Sequence, residues 1–141
     1  MPKLSVNVNK VATLRNARGG NRPSVLEAAL KVERFGGDGI SVHPRPDERH
    51  IRWTDVEAIA PAISVEFNIE GYPSAEFLDR VVAVQPAQCT LVPDGPDVLT
   101  SNAGWRLGGS EDLLRGAIQK LSNAGIRSSL FVDPALSLIH I

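Results

Sequence analysis

Short apolar runs alternate with longer amphipathic stretches along the 141 residues of the chain. Leu4, Val6 and Val8 alternate with Ser5 and Asn7, the period of two expected of a strand. Pro23 and Ser24 then open a helix. Ser24 and Glu27 have the capping-box spacing, and Val25, Ala28, Ala29, Val32 and Phe35 form an apolar stripe that Gly36-Gly37 ends. The unit repeats. Gly39-Ile40-Ser41-Val42 reads as a second strand, and Thr54 with Glu57 as a capping box for a helix lined by Val56, Ile59 and Ile63. A third strand falls within Ile63 to Ile69, and Ser74 caps a third helix carrying Phe77, Leu78, Val81 and Val82. Gln88 to Val92 is a fourth strand. Ser110 caps a fourth helix carrying Leu113, Leu114, Ala117, Ile118 and Leu121, which stops at Gly125 before a fifth strand from Arg127 to Val132.

Strands alternating with capped helices predict a βα array and a parallel sheet. The longest irregular stretches, Asn9–Arg22, His43–Trp53 and Pro93–Gly109, all follow strands. In parallel α/β folds the loops at the carboxyl ends of strands build the active site, so candidate chemistry is sought there.

Composition narrows the class. Fifteen Lys+Arg against sixteen Asp+Glu leave a net charge of −1, which argues against a general nucleic-acid binder. A hydrophobic fraction of 43% argues against disorder. The one cysteine, Cys89, excludes an internal disulfide framework and fits a reducing compartment. No run long enough for a transmembrane helix is found, and the opening MPKLSVNVNK lacks an apolar signal core, so no membrane association and a cytoplasmic location are expected.

Four polar constellations follow strands. His43-Pro44-Arg45-Pro46-Asp47-Glu48-Arg49-His50 gathers two of the three histidines with two arginines. Histidine moves protons near neutral pH, and arginine grips phosphate or carboxylate in a planar fork. The competing reading is a solvated charged loop. A metal site built on His43, His50 and a carboxylate lacks a recognised ligand spacing, and no metal is expected. Asn7-Val8-Asn9-Lys10 runs into Thr13-Leu14-Arg15-Asn16-Ala17-Arg18-Gly19-Gly20, where Arg15, Arg18 and the glycine pair could wrap an anion. Glu66, Asn68 and Glu70 alternate with Phe67 and Ile69, an odd pattern for a doubly covered parallel strand. Glu70, at the strand end, is an acid/base candidate whose pKa burial would raise. Pro93-Asp94-Gly95 with Thr100-Ser101-Asn102 supplies hydroxyl and amide donors, although a plain turn explains most of it. Cys89, Trp53 and Trp105 read as packing residues.

Taken together, NVNKVATLRNARGG, GISVHPRPDERHI, EFNIEGYPS, QCTLVPDGPDVLTSNAGW and AGIRSSLFVDP resemble the pyridoxine 5'-phosphate synthase family of vitamin B6 biosynthesis, in that family's order over residues 7 to 134. The resemblance implies a (β/α)8 barrel. It also implies condensation of 3-amino-2-oxopropyl phosphate with 1-deoxy-D-xylulose 5-phosphate by several acid/base groups, without a cofactor and in a homo-oligomer when full length. By resemblance His43 is a catalytic proton acceptor and Glu70 the catalytic glutamate. Asn7 and Arg18 would contact the aminoketone phosphate, Arg45 and His50 the deoxyxylulose phosphate, and Thr100 the substrate as well. Asn9-Lys10 stands where many members carry Asp-His. The Asn9 amide cannot act as a base but can bind substrate.

A barrel of this kind takes about 250 residues. The expected architecture is therefore a (β/α)8 barrel truncated to β-α-β-α-β-α-β-α-β, with an incomplete domain over residues 1–134 and a non-native tail at 135–141. The family's general-acid histidine would lie on a later strand, and His140 does not match it in context. The alternative function is a standalone phosphate-binding α/β module without catalysis.

Overall fold

Ile40 and Val42, Phe67 and Ile69, and Cys89 and Leu91 recur at every second position of three strands and are all buried. The strands form one sheet, described here from a computed structural model over residues 1–95, 103–106 and 108–134. Thr100, His140 and the segment 135–141 lie outside the described residues.

The strands are β1 (Ser5–Asn7), β2 (Gly39–Val42), β3 (Glu66–Gly71), β4 (Gln88–Leu91) and β5 (Arg127–Leu130). They pair in parallel in the order β1-β2-β3-β4-β5. Sequential parallel order with a helical crossover between each pair is the winding of a (β/α)8 barrel, and this chain carries five consecutive strands of it. The intervening helices are α1 (Asn9–Arg18), α2 (Val25–Arg34), α3 (Trp53–Ile59), α4 (Ala75–Val84) and α5 (Glu111–Asn123).

Helix α1 corrects the expectation of an irregular Asn9–Arg22 segment. The Asn7 Oδ1 accepts from the backbone N–H of Asn9 at 2.9 Å and satisfies one orphan donor of its first turn. Gly19, at φ 70°, closes the other end in the left-handed conformation that favours glycine. The hydrophobic periodicity missed it because its buried stripe, Val8, Ala12 and Arg15, has a charged third member.

Two caps agree with expectation. Ser24 Oγ accepts from Glu27 N and Ser74 Oγ from Phe77 N, each at 3.2 Å. Two do not. In α3 the reciprocal pair is not Thr54 with Glu57, because Asp55 Oδ2 accepts from Arg52 N at 2.9 Å and starts the helix earlier. In α5 the Ser110 side chain makes no cap bond, and the Glu111 carboxylate instead accepts from the N–H groups of Gly108 and Gly109 at 2.6 and 2.8 Å. A carboxylate is the stronger acceptor for these positively polarised ends. Phe35, assigned to the α2 stripe, caps that helix and is 82% exposed. Ile63 falls after α3, which ends at Ile59 with Pro61 close behind, and β3 starts at Glu66.

The core lies between the sheet and these helices. Val25, Ala29, Val56, Ile59, Leu78, Val81, Leu114 and Leu121 meet the apolar face of the strands. Full burial of such a side chain stabilises by about 1.5–3 kcal/mol. The alternate strand positions form a polar face. Asn68 Nδ2 donates to Ser41 Oγ at 2.9 Å, Thr90 Oγ1 to Asn68 Oδ1 at 2.9 Å and Gln88 Nε2 to Asn68 Oδ1 at 3.2 Å. Arg127 at the start of β5 bonds Gln88 and pairs with Glu66 at 2.8 Å. The Glu66–Asn68–Glu70 alternation was the sequence sign of this face.

Candidate active site

His43 follows the last residue of β2, and the loop it opens is tied to α1 from three sides. Asn9 Oδ1 accepts from the backbone N–H of His43 at 2.9 Å. Arg15, only 6% exposed, donates through Nη1 and Nη2 to the two carboxylate oxygens of Asp55 at 2.5 and 3.0 Å. Its Nη2 also donates to the carbonyl of His50 at 3.1 Å. Asn16 Nδ2 donates to the carbonyls of Arg49 and His50 at 3.0 and 2.9 Å. Pro44 and Pro46 fix two φ angles in the loop. Glu48 takes a left-handed φ of 47°, with its Oε1 accepting from Trp53 N. At the loop's end, His50 Nδ1 accepts from the Ile51 N–H at 2.8 Å, so the neutral ring carries its proton on Nε2.

These surroundings set the charge of the cluster. His43 is buried, and its pKa falls from 6.5 to about 4, chiefly through burial and then through the positive charge of Arg45 and the neighbouring His50. Burial also lowers His50, helped by Arg45 and Arg49. The two rings meet edge to face, 6.1 Å between centroids. Both imidazoles are therefore neutral at neutral pH. Arg45 is as buried as His43. Its Nη1 lies 3.7 Å from Asp94 Oδ2 and its Nη2 donates to the Gly95 carbonyl at 3.4 Å, which joins the β2 loop to the end of β4. A buried guanidinium above the strand ends is suited to holding an anion.

A cleft of about 510 Å³ opens beside the cluster, lined by His43, Arg45 and Asp94 on one side and Trp53, Tyr72 and Phe77 on the other. Gly71 makes room for the Phe77 ring, since a Cβ there would sit 2.3 Å from Cε2. Glu70 stands on the polar face of the sheet, in register with Thr90. Val42 pairs with Ile69, so His43 and Glu70 leave neighbouring strands at one level. Burial raises the Glu70 carboxyl above its usual range and favours its protonated form.

The structure thus brings Asn9, His43, Arg45 and His50 together, with Asn7 anchoring the start of α1. Lys10 is exposed, yet its charge is close enough to depress His50. Arg18 stands exposed at the far end of α1 and makes no hydrogen bond or ion pair to the cluster among the described residues. Arg15 does not wrap an anion as expected, because its guanidinium is committed to Asp55 and His50. Asn16 and Asp94 fall within the second and fourth candidate constellations of the sequence, whereas Asp55 was not foreseen. Only the position of Arg15 on the α1 buried stripe could have signalled the clamp. Among the described residues no group of three His, Cys, Asp or Glu side chains is placed to hold a metal ion.

Five parallel strands joined by helices in sequential order, with the candidate residues gathered above the strand ends, define part of a βα-barrel protein. The family model described as pyridoxal phosphate biosynthesis protein PdxJ matches residues 4–141, and the chain belongs to that family. The chain is 58% identical over 140 residues to the pyridoxine 5'-phosphate synthase of Bacteroides fragilis strain YCH46 and 60% identical over 140 residues to that of Phocaeicola vulgatus. Each match covers 99% of this chain but 59% of the relative's length. A mandelate oxidase structure with benzaldehyde superposes with a TM-score of 0.58 at 15% identity, covering 88% of this chain and 46% of the oxidase, a likeness of fold alone. Among the described residues no helix is long and apolar enough to cross a membrane.

Proposed function

We propose that the chain supplies substrate-binding and acid/base groups of a pyridoxine 5'-phosphate synthase, which condenses 3-amino-2-oxopropyl phosphate with 1-deoxy-D-xylulose 5-phosphate to pyridoxine 5'-phosphate, phosphate and water. The observation that carries the reading is a buried, neutral His43 beside a buried Arg45 on one braced loop. Ring formation from an aminoketone and a ketose phosphate needs repeated proton removal next to carbonyl carbons. A neutral imidazole close to a fixed cation suits that task, because the cation holds the phosphate end while the ring takes the proton. Arg45 and His50 hold the deoxyxylulose phosphate, with Thr100 as a further substrate contact. Asn7 and Arg18 hold the aminoketone phosphate, and Asn9 with Lys10 lies beside the sugar phosphate. Glu70, its pKa raised by burial, can give a proton and take it back in a later step.

The test is a protein of the relatives' full length carrying this sequence. His43→Ala should lower kcat by about 10²–10⁴-fold while leaving KM for both substrates nearly unchanged. A wild-type kcat in that variant removes His43 from the chemistry. The present chain, at 59% of the relatives' length, should form no product from the two substrates. Product formation by it would show that the groups named here suffice.

A further inference from the structure

The His50 carbonyl and the Ile51 N–H belong to one peptide group. A trans peptide is planar, with its oxygen and hydrogen pointing in opposite directions. Whatever fixes the direction of that oxygen therefore fixes the direction of that hydrogen. The oxygen accepts two donors from α1, Arg15 Nη2 at 3.1 Å and Asn16 Nδ2 at 2.9 Å. The hydrogen points at the Nδ1 of His50's own ring at 2.8 Å. Neither donor is loose. Arg15 is 6% exposed and held by both oxygens of Asp55, and Asn16 bonds the preceding carbonyl of Arg49 as well. Beyond the peptide, the Ile51 side chain is completely buried and anchors the far end.

We infer that Arg15 and Asn16 are positioning residues which set the tautomer of His50 from behind, through the plane of the His50–Ile51 peptide. With Nδ1 engaged as an acceptor, the neutral ring holds its single proton on Nε2 and presents a hydrogen-bond donor on its other side. A donor there suits a phosphate oxygen. The opposite tautomer would present a lone pair and repel it. Two donors on the carbonyl also polarise the peptide and strengthen its N–H as a donor. The same clamp explains the buried arginine in a helix whose other inward residues are apolar. The use of this donor on the sugar phosphate rests on the proposed function, whereas the tautomer itself does not.

The experiment uses the full chain labelled with 15N, with the imidazole nitrogens read by long-range proton–nitrogen correlation. In the wild type His50 should show the Nε2–H tautomer, and His43 provides an internal reference. Asn16→Asp keeps the size of the side chain and loses its donor. It should populate the Nδ1–H tautomer of His50 visibly, speed exchange of the Ile51 amide by about tenfold, and weaken binding of inorganic phosphate by about tenfold. Wild-type His50 signals in a folded Asn16→Asp protein overturn the inference, because a merely structural bond would cost stability without changing the ring. Should Asn16→Asp fail to fold, Arg15→Lys keeps a cation for Asp55, loses the fork, and is judged by the same His50 signals. In the longer protein a changed tautomer with an unchanged KM for the sugar phosphate supports the positioning and overturns the assignment of His50 to that substrate.

Discussion

Acid should destabilise the fold through His43. Its ring is 7% exposed, and burial, with the charge of Arg45 and the neighbouring His50, lowers its pKa from 6.5 to about 4. In the unfolded chain the same ring titrates near its ordinary value. Between the two values the unfolded chain binds a proton that the folded chain excludes, so stability falls as the pH falls. A gap of about 2.5 units corresponds to about 3 kcal/mol, with the loss beginning near pH 6.5 and nearing completion below pH 4. At about pH 4.5 some 2.5 kcal/mol of it should already be gone. Other groups share the acid limb. Asp47, Glu66 and Glu111 have carboxyls held below their usual range by Arg49, by Arg127 and by backbone N–H groups, and they lose stability at lower pH. Glu70 contributes with the opposite sign. His43→Gln keeps a polar side chain that cannot titrate, so the difference between the two proteins isolates the imidazole. Urea unfolding followed by circular dichroism from about pH 7.5 to about 4.5 gives both curves. The variant should gain on the wild type by roughly 2.5 kcal/mol across that range. A difference that stays flat within about 0.5 kcal/mol, or an NMR-titrated His43 near its ordinary pKa, would refute the reasoning.

Cys89 is completely buried and its thiol is pushed up to about 12 by that burial, so a thiol reagent should label it only after urea unfolds the chain. Labelling of the native protein at the unfolded rate would contradict this. Gly71→Ala places a Cβ 2.3–2.8 Å from three Phe77 ring atoms and should cost about 1–3 kcal/mol by urea unfolding, with Phe77→Leu in the same chain recovering part of it. Equal stability of wild type and Gly71→Ala would place the ring elsewhere. Glu70 has a raised pKa from burial, so its contribution is most favourable below the unfolded carboxyl pKa and is lost as pH rises through the folded one. Glu70→Gln should therefore raise the urea midpoint at pH 7 and lose that advantage in acid, and an unchanged midpoint at pH 7 would sink the assignment.

The strands were readable from short apolar alternation and their parallel pairing from the alternation with helices, whereas the barrel winding came from the family resemblance. Ile40 with Val42 and Cys89 with Leu91 mark their strands by alternation alone. The Ser24 and Ser74 caps were readable because each serine directly precedes its helix and its Oγ accepts from the N–H three residues on. At α3 and α5 the carboxylates of Asp55 and Glu111 instead accept from N–H groups that precede the helix, Arg52 and Gly108 with Gly109, so neither start follows the Thr54 or Ser110 spacing. Helix α1 was hidden because its inward residue Arg15 is buried by pairing rather than by apolarity, and the partner Asp55 lies 40 residues away. No local pattern carries that information. The cluster of His43, Arg45 and His50 was legible as composition, and the motif strings named its family. That His43 and His50 are neutral was not legible. It depends on burial and on Arg45, which only the folded loop brings together.

The distribution of contacts explains how such a loop keeps one shape. An eight-residue segment with four charged side chains and two histidines has little apolar surface with which to order itself. It is held instead by main-chain bonds from outside: Asn9 on the His43 N–H, and Arg15 and Asn16 on the carbonyls at its end. Bracing the backbone leaves the His43 imidazole and the Arg45 guanidinium to line the cleft, which is the separation of support from chemistry that a preorganised site requires. It also fixes the direction of dependence between the elements. Helix α1 must fold for the loop to be ordered, because its three polar side chains supply the bonds. The loop gives α1 in return a partner for a buried arginine that would otherwise be costly to bury. The charged member of the α1 stripe, which obscured the helix in the sequence, is thus the residue that couples the helix to the site.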